Sequence, residues 1–411
     1  MENRRPSRPA PRRSAPARPQ GPQGETAVHT PCPVYRKCGG CQLQNLSYHR
    51  QLAWKQDRCQ KLLGKFGKVS PLVGMENPYH YRNKVQAAFA YDKRRGKIVS
   101  GVYQSSTHRI VPIDSCQTED ETADRIIVSV RKLLGDFKLT AYDENTGRGF
   151  LRHVLVKRAF STGQVMVVLV TGTPVFTAKK HFVAKLLQLH PEITTILQNI
   201  NDRRTSLVLG DREKVLYGPG TIVDQLCGCT FRISAKSFYQ INPVQTEVLY
   251  NKAMEFAGLS GKEKVLDAYC GIGTIGLVAA KRGAGHVLGV EVNPDAVRDA
   301  IQNAKENGAK NAWFTCGDAG DFLEEAALNG ERWDVVFLDP PRAGASREFL
   351  TALCACAPKR VVYISCDPET LSRDLGFLQA NHYRIEAIQP VDMFPHTQHI
   401  ECVVKLTRRE K

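Results

Sequence analysis

The chain has 411 residues, a formal net charge of +16 and an isoelectric point near 9.3. This length allows two or three domains, and no apolar run reaches the length of a membrane-spanning helix, so the composition excludes a membrane protein and predicts a soluble one. The excess of Lys and Arg favours a polyanionic partner, with nucleic acid first, because each cation placed against a phosphate releases a counterion.

The first 30 residues are dense in Arg and Pro and contain almost nothing apolar to bury, which predicts a disordered basic tail. This tail is either an electrostatic tether to RNA or a solubilising extension. Its start, Met1–Pro6, lacks the apolar core of a secretion signal. The predicted location is therefore the reducing cytoplasm, where clustered cysteines bind metal or catalyse more often than they crosslink.

Such a cluster follows the tail. Cys32, Cys38 and Cys41 form a C-x5-C-x2-C pattern with two glycines in its tight turn, and Cys116 is a distant fourth thiol. Four thiolates suit either tetrahedral zinc or an iron–sulfur cluster. The spacing alone leaves these two possibilities open.

The next segments predict an α+β domain over residues 31–230. A helix is predicted from Ser47 to Leu63, ended by Gly64, with an apolar stripe of Leu52, Cys59, Leu62 and Leu63. From residue 79 to 217 short strands dominate and predict an antiparallel sheet, with strands at 85–91, 98–103, 151–158 and 165–170. The segment Tyr79–Lys84 interleaves aromatic and basic residues, which suits base stacking and phosphate contact.

From residue 231 to 411 helical and strand patterns alternate, which predicts an α/β fold with a doubly wound, Rossmann-like sheet of largely parallel strands. The predicted helices lie at 244–256, 274–281 and 295–307, and the predicted strands at 264–268, 286–291, 335–338 and 360–364. Ligands bind such sheets at the carboxyl ends of the strands.

A glycine-rich turn follows the first of these strands. Gly271, Gly273 and Gly276 spell G-x-G-x-x-G, a weak indication of an NAD-dependent oxidoreductase. Asp267 instead favours S-adenosylmethionine, because a carboxylate attracts the cationic methionine group and repels a pyrophosphate. Glu291 can accept hydrogen bonds from ribose hydroxyls in either cofactor. The turn alone therefore does not separate the two.

Three later segments carry reactive side chains: D-P-P-R with Asp339, S-C-D-P with Cys366, and H-T-Q-H-I-E with Glu401. A thiolate that adds to one carbon of an electron-poor ring double bond makes the neighbouring carbon nucleophilic enough to take a methyl group from sulfur. A carboxylate within hydrogen-bond reach can then remove the proton from the methylated carbon. The combination suggests carbon methylation through a covalent adduct, although the two histidines also permit a zinc site.

The order of these segments resembles the TrmA/RumA family of RNA uracil-C5 methyltransferases from about Pro31 to the C-terminus. The resemblance implies a class I methyltransferase domain, with Cys366 as nucleophile and Glu401 as base. It makes His396 and His399 scaffolding or base-orienting residues. It also implies a shell for S-adenosylmethionine that consists of Gln240, Tyr269, Glu291, Asp339, Asp267, Gly271 and Asp318.

The resemblance extends to the cysteines and to the substrate. The C-x5-C-G-G-C pattern matches the family's iron–sulfur branch and implies a structural 4Fe–4S cluster on Cys32, Cys38, Cys41 and Cys116. Because tRNA-modifying members lack these cysteines, the implied substrate is 23S ribosomal RNA, at a single-stranded or readily unstacked uridine. No obligate protein partner is expected. The alternatives are the same chemistry on another rRNA uridine or on tRNA, and a cluster-bearing RNA-binding protein without catalysis.

Overall fold

The computed structural model describes residues 32–104, 107 and 109–409, so the predicted basic tail lies outside the described residues. The helices are α1 (Tyr35–Cys38), α2 (Tyr48–Leu63), α3 (Glu121–Asp136), α4 (Lys179–Leu189), α5 (Pro243–Ala257), α6 (Thr274–Lys281), α7 (Pro294–Glu306), α8 (Ala319–Leu328), α9 (Arg347–Cys356) and α10 (Pro368–Ala380). Across these described ranges, no helix is both long enough and apolar enough to cross a membrane.

The strands form two seven-stranded sheets and one separate hairpin. They are β1 (Lys84–Asp92), β2 (Lys97–Tyr103), β3 (Ile110–Pro112), β4 (Leu151–Arg158), β5 (Val165–Thr171), β6 (Ile193–Ile200), β7 (Arg212–Tyr217), β8 (Ile222–Leu226), β9 (Cys229–Ile233), β10 (Lys264–Ala268), β11 (His286–Glu291), β12 (Ala312–Cys316), β13 (Val335–Leu338), β14 (Arg360–Ser365), β15 (Tyr383–Val391) and β16 (Glu401–Arg408).

The first sheet has the order β3-β2-β1-β4-β5-β6-β7. Its pairs are antiparallel as predicted, except for β5 and β6, which are parallel. The prediction was wrong there because α4 connects these two strands as a crossover, which returns the chain in the same direction. Every residue of β5 is buried, since one side packs on α3 and α4 and the other shares a core with the second sheet's helices.

The second sheet has the order β12-β11-β10-β13-β14-β16-β15. Its first five strands are parallel, and β16 runs antiparallel to both of its neighbours. Residues of α5, α6 and α7 belong to one core, and residues of α8, α9 and α10 belong to another. These cores confirm the predicted doubly wound α/β sheet. The carboxyl ends of the five parallel strands lie along one edge, where a ligand is expected.

The hairpin of β8 and β9 spans the predicted domain boundary between residues 230 and 231. Its backbone N–H groups at Thr230 and Arg232 donate to the side chains of Asn307 and Asn303 at 2.8 Å. The hairpin is therefore attached to α7 of the second sheet. The division of the chain into domains at 31–230 and 231–411 stays a prediction.

Helix α2 belongs to the N-terminal part of the chain but packs against α10 and β15 of the second sheet. The predicted apolar stripe is wrong in part, because Leu52 and Leu62 are only half-buried. The buried face consists of Gln51, Lys55, Cys59 and Leu63. The two polar side chains of this face, Gln51 and Lys55, form hydrogen bonds with residues of the segment before β16. The α-helix ends at Leu63 with Gly64 as its C-cap, as predicted, and a short 3-10 turn then continues to Phe66.

Candidate active site

Cys366 and Glu401 face each other at the carboxyl edge of the second sheet. Ser365 of β14 pairs with Cys402 of β16 in an antiparallel ladder. The next position outward on each strand brings Cys366 opposite Glu401. Asp339 follows the neighbouring strand β13, which is parallel to β14. The thiol of Cys366 and the carboxyl groups of Glu401 and Asp339 therefore lie close together at this edge of the sheet.

The electrostatics of this point keep the thiol protonated in the free protein. Burial, followed by the carboxyl groups of Glu401 and Asp339, raises the pKa of Cys366 to about 12, and the Arg342 guanidinium opposes this rise. Burial, followed by the charge of Asp339, raises the pKa of Glu401 well above its usual range. The buried Oε2 of Glu401 has no hydrogen-bond partner among the described residues, which leaves it available to a ligand.

Arg342 joins the segments that carry the thiol and the base. Its Nη2 lies 2.9 Å from Nδ1 of His399, and its Nε lies 3.4 Å from Oδ2 of Asp367. Asp367 in turn caps α10 by accepting from the N–H of Glu369. Sequence reasoning had not assigned Arg342 to the site. The sequence feature that could have indicated a role for Arg342 is its position directly after D-P-P, at the end of a parallel strand.

The two histidines of the H-T-Q-H-I-E segment have protein partners. Nδ1 of His396 lies 3.1 Å from Nε2 of Gln51, and its Nε2 lies 3.0 Å from the carbonyl oxygen of Pro78. Burial and the charge of Arg342 lower the pKa of His399 to about 4. Within the described part of the chain, no group of three His, Cys, Asp or Glu side chains is arranged to hold a metal ion. This geometry fits scaffolding histidines.

The glycine-rich turn lies between β10 and α6, as predicted. The N–H of Gly271 donates to Oε2 of Glu291 at 3.1 Å, so the acid at the end of β11 holds the turn. Gly273 has φ +82°, and a Cβ atom there would lie 2.8 Å from the ring of Phe314. Only glycine fits this conformation and this close approach.

Asp267 lies inside β10 and is fully buried. Its Oδ2 accepts the N–H of Gly276 at 2.7 Å, which fixes the start of α6 against the strand. Its Oδ1 is buried with no partner among the described residues. Burial is the main reason that the pKa of Asp267 is raised to about 8. Asp267 therefore shapes the turn with one oxygen and keeps the other unpaired.

Three further predicted cofactor residues lie after β10, after β12 and before α5. Tyr269 follows β10 with φ +64°, and its ring centroid lies 5.2 Å from that of Phe349. Asp318 follows β12, is exposed, and caps α8 through the N–H groups of Gly320 and Asp321. Gln240 is buried before α5, and its carbonyl oxygen accepts from Nδ2 of Asn83 at 2.9 Å.

The four predicted cluster cysteines line one cavity, together with backbone and side chains of α1 and the loop before α3. Burial raises the pKa of Cys41 to about 12 and that of Cys116 to about 11. Among the described residues these thiols line a shared space, but no group of three of them is arranged to hold a metal ion.

Known proteins resemble this chain over most of its length. The family model described as tRNA (Uracil-5-)-methyltransferase matches residues 47–409. An uncharacterized RNA methyltransferase of Halalkalibacterium halodurans is 44% identical over 384 residues, which cover 92% of this chain and 83% of that protein. Another, from Clostridium acetobutylicum, is 43% identical over 387 residues, with 92% and 84% covered.

A solved structure agrees with these relatives. The crystal structure of Pyrococcus abyssi tRNA (uracil-54, C5)-methyltransferase in complex with S-adenosyl-L-homocysteine has a TM-score of 0.75 and 29% sequence identity. The match covers 90% of this chain and 86% of that chain. With the fold, the family model and these relatives in agreement, the chain belongs to the tRNA (uracil-5-)-methyltransferase family and is an S-adenosylmethionine-dependent RNA (uracil-5-)-methyltransferase.

Proposed function

We propose that this enzyme methylates C5 of a uridine in 23S ribosomal RNA, with Cys366 as nucleophile and Glu401 as base. The observation that carries the proposal is the pairing of Ser365 with Cys402, which brings the thiol opposite the carboxyl group. The chemistry requires both groups on one pyrimidine ring. A thiol must reach C6 while a base reaches the hydrogen on C5.

Each step follows from these side chains. The Cys366 thiolate forms a bond to C6, and the resulting enolate attacks the methyl carbon of the sulfonium with its C5, which releases S-adenosylhomocysteine. Glu401 then takes the proton from C5. The electron pair left behind re-forms the C5–C6 double bond and expels the thiolate, which restores the enzyme. The unpaired Oε2 of Glu401 is suited to accept that proton.

The proposed cofactor shell lies along the carboxyl edge of the parallel strands. The end of β11 and the loops after β10, β12 and β13 converge there because the strands share one direction. We assign S-adenosylmethionine binding to side chains or backbone of Gln240, Asp267, Tyr269, Gly271, Glu291, Asp318 and Asp339. Asp318 also caps α8, so we assign its carboxylate this structural role as well as a role in cofactor binding.

The proposed resident group is a 4Fe–4S cluster held by Cys32, Cys38, Cys41 and Cys116. The shared cavity of these thiols supports it. Anaerobically purified protein is expected to contain iron and sulfide in equal amounts, with the broad visible absorption of a cluster. Cys116→Ser is expected to lose both, whereas the matched variant Cys354→Ser keeps them. A single zinc ion in place of iron and sulfide would contradict the assignment.

The proposed substrate class follows from the cluster assignment, because the resemblance ties these cysteines to the ribosomal branch of the family. Methylation of tRNA is the second candidate, favoured by the name of the similar Pyrococcus abyssi enzyme. Labelled S-adenosylmethionine, incubated with undermodified rRNA and tRNA, separates the two. All thirteen cysteines lie within the described residues and none of them is in a disulfide, which supports the proposed reducing cytoplasmic location.

The catalytic proposal is tested by trapping. RNA with 5-fluorouridine forms a stable adduct, because the fluorine on C5 cannot be removed as a proton is. Wild-type enzyme and the control Cys354→Ser are expected to form this adduct, while Cys366→Ser forms none and does not methylate uridine. An adduct through another residue, or methylation by Cys366→Ser, would overturn the proposal.

A further inference from the structure

The segment from Asp392 to Ile400, which leads into Glu401, is held by residues from the N-terminal part of the chain. The N–H of Leu43 donates to the carbonyl oxygen of His396 at 3.0 Å. The N–H of Gln398 donates to Oε1 of Gln42 at 3.3 Å. These contacts lie just before the base in sequence. Residues of the N-terminal region can therefore influence the position of Glu401 through the segment that precedes it.

The most enclosed of these contacts is made by Gln51 of α2, which is 1% exposed. Its Oε1 accepts the N–H of His396 at 2.9 Å. Its Nε2 donates to the carbonyl oxygen of Leu46 at 3.0 Å and lies 3.1 Å from Nδ1 of His396. An amide nitrogen carries two hydrogens, so both have an acceptor here. One buried side chain thus holds the backbone and the ring of the same histidine.

This contact sets the tautomer of His396. Because Gln51 donates to Nδ1, the ring hydrogen is on Nε2, where it is donated to the carbonyl oxygen of Pro78 at 3.0 Å. Burial lowers the pKa of His396, which agrees with a neutral ring. The ring therefore has a single arrangement of hydrogens that satisfies all of its neighbours.

The backbone of His396 is held in an unfavourable conformation. Its φ of +67° lies in the left-handed region, which is unfavourable for a non-glycine residue and persists only where surrounding contacts fix it. Gln51 binds the N–H of this residue and Leu43 binds its carbonyl oxygen. From this fixed point the chain reaches fully buried Ile400 and then Glu401.

We propose that Gln51 is a positioning residue for the proton-removal step, acting through His396 on the location of Glu401. By fixing the ring and the left-handed backbone of His396, it determines the path of the chain into β16 and so the distance from the carboxyl group to C5. The inference rests on the proposed role of Glu401. It assigns Gln51 no contact with substrate.

The variant that tests this is Gln51→Met, which keeps the side chain's length and removes all three contacts. With uridine RNA and labelled methyl donor, attack by Cys366 and methyl transfer proceed, but removal of the C5 proton slows. A methylated protein–RNA adduct is expected to accumulate on denaturing gels, with turnover reduced about tenfold or more, a part of the effect of a full general base. Trapping by 5-fluorouridine RNA stays within about twofold, because it needs no proton removal.

Two reference variants make the outcome specific. Gln60→Met changes an exposed glutamine of the same helix and is expected to behave as wild type. Glu401→Gln is expected to accumulate the methylated adduct strongly. If Glu401→Gln accumulates none, the proposed role of Glu401 fails. If it does and Gln51→Met does not, only the positioning role of Gln51 is refuted. Equal losses of turnover and of 5-fluorouridine trapping in Gln51→Met would also refute it.

A second variant covers the case in which Gln51→Met folds poorly. Gln51→Glu has the same size and, while protonated, can still donate one hydrogen bond to Nδ1 of His396. Once ionised, it requires a proton on that nitrogen instead. Turnover of Gln51→Glu is therefore expected to fall as pH rises through the carboxyl pKa. The other ionisable groups around His396, which are Lys55, Asp392, Tyr48 and Tyr79, are unchanged. A wild-type pH profile would refute the proposal.

Discussion

Nη2 of Arg342 lies 2.9 Å from Nδ1 of His399, two residues before Glu401 in the chain. The same guanidinium lies 3.4 Å from the carboxylate of Asp367, the residue after Cys366. One cation therefore bridges the two segments that carry the proposed nucleophile and base. Burial and neighbouring carboxyl groups hold the pKa of Cys366 high, and Arg342 is a group that lowers it.

Replacing that charge is expected to change the pH dependence of adduct formation. In Arg342→Met the pKa of Cys366 rises, so the rate of 5-fluorouridine trapping moves to higher pH, and near pH 7 it falls roughly tenfold if the pKa rises by about 1. Arg342→Lys keeps the charge and is expected to keep most of the rate. The measurement is the trapping rate from about pH 6 to about pH 9 at saturating RNA. An unchanged profile in Arg342→Met would show that the guanidinium has no effect on the thiol.

Removing the carboxyl group opposite the thiol is expected to have the reverse sign. An ionised Glu401 disfavours the thiolate, so Glu401→Gln lowers the pKa of Cys366 and moves 5-fluorouridine trapping to lower pH. Methylation of ordinary uridine falls by about 10²- to 10⁴-fold, because the C5 proton has no base. In Glu401→Gln, therefore, 5-fluorouridine trapping near neutral pH becomes faster while methylation of ordinary uridine becomes slower. A displacement of trapping to higher pH would contradict the geometry.

The glycine turn predicts a cofactor-binding defect. In Gly273→Ala the new methyl group would meet the ring of Phe314 at 2.8 Å in a left-handed conformation. Affinity for S-adenosylhomocysteine is expected to drop at least about tenfold, or about 1.4 kcal/mol. Calorimetry measures this affinity. Gly135→Ala, in helix α3 with open space around the position, is the matched control. Equal affinities of the two variants would show that the turn is not part of the cofactor site.

The buried ion pair beneath the catalytic segment predicts a stability effect. Lys55 and Asp392 are both 0% exposed, with Nζ and Oδ1 separated by 2.5 Å. Lys55→Met leaves the aspartate buried without its cation, so the free energy of unfolding is expected to drop by about 3–5 kcal/mol. Urea denaturation measures it.

An exposed pair on α7 serves as the control for that measurement. Arg298 and Asp295 are three residues apart and largely solvent-accessible. Arg298→Met is expected to change the free energy of unfolding by less than about 1 kcal/mol. Comparable losses of unfolding free energy in Lys55→Met and Arg298→Met would mean that the buried pair contributes no more to stability than the exposed pair.

The second sheet was largely predictable because its signals are local. The bounds of β10, α6 and β11 agree with the predicted segments, since short apolar runs and a glycine turn mark them without reference to the rest of the chain. The register that places Cys366 opposite Glu401 was not predictable in this way. It depends on β16 lying between β14 and β15, and no local pattern specifies which edge a strand will join.

The polar face of α2 was missed for the same reason. Gln51 and Lys55 are polar residues whose partners, His396 and Asp392, lie 345 and 337 positions away. A periodicity argument assigns apolar residues to the buried face and has no information on distant polar partners. Arg342 was overlooked because its significance depends on His399 and Asp367, which approach it only in the folded sheet.

The position of β16 has a consequence during synthesis of the protein. On the ribosome, β14 emerges with its thiol well before β16 supplies the opposing carboxyl group, and α10 and β15 emerge between them. The edge of β14 must stay open until the later strand enters beside it. A nascent chain at that stage has the proposed nucleophile without the proposed base, so it cannot complete the proposed reaction. The two side chains come together only when β16 has been synthesised and has paired with β14.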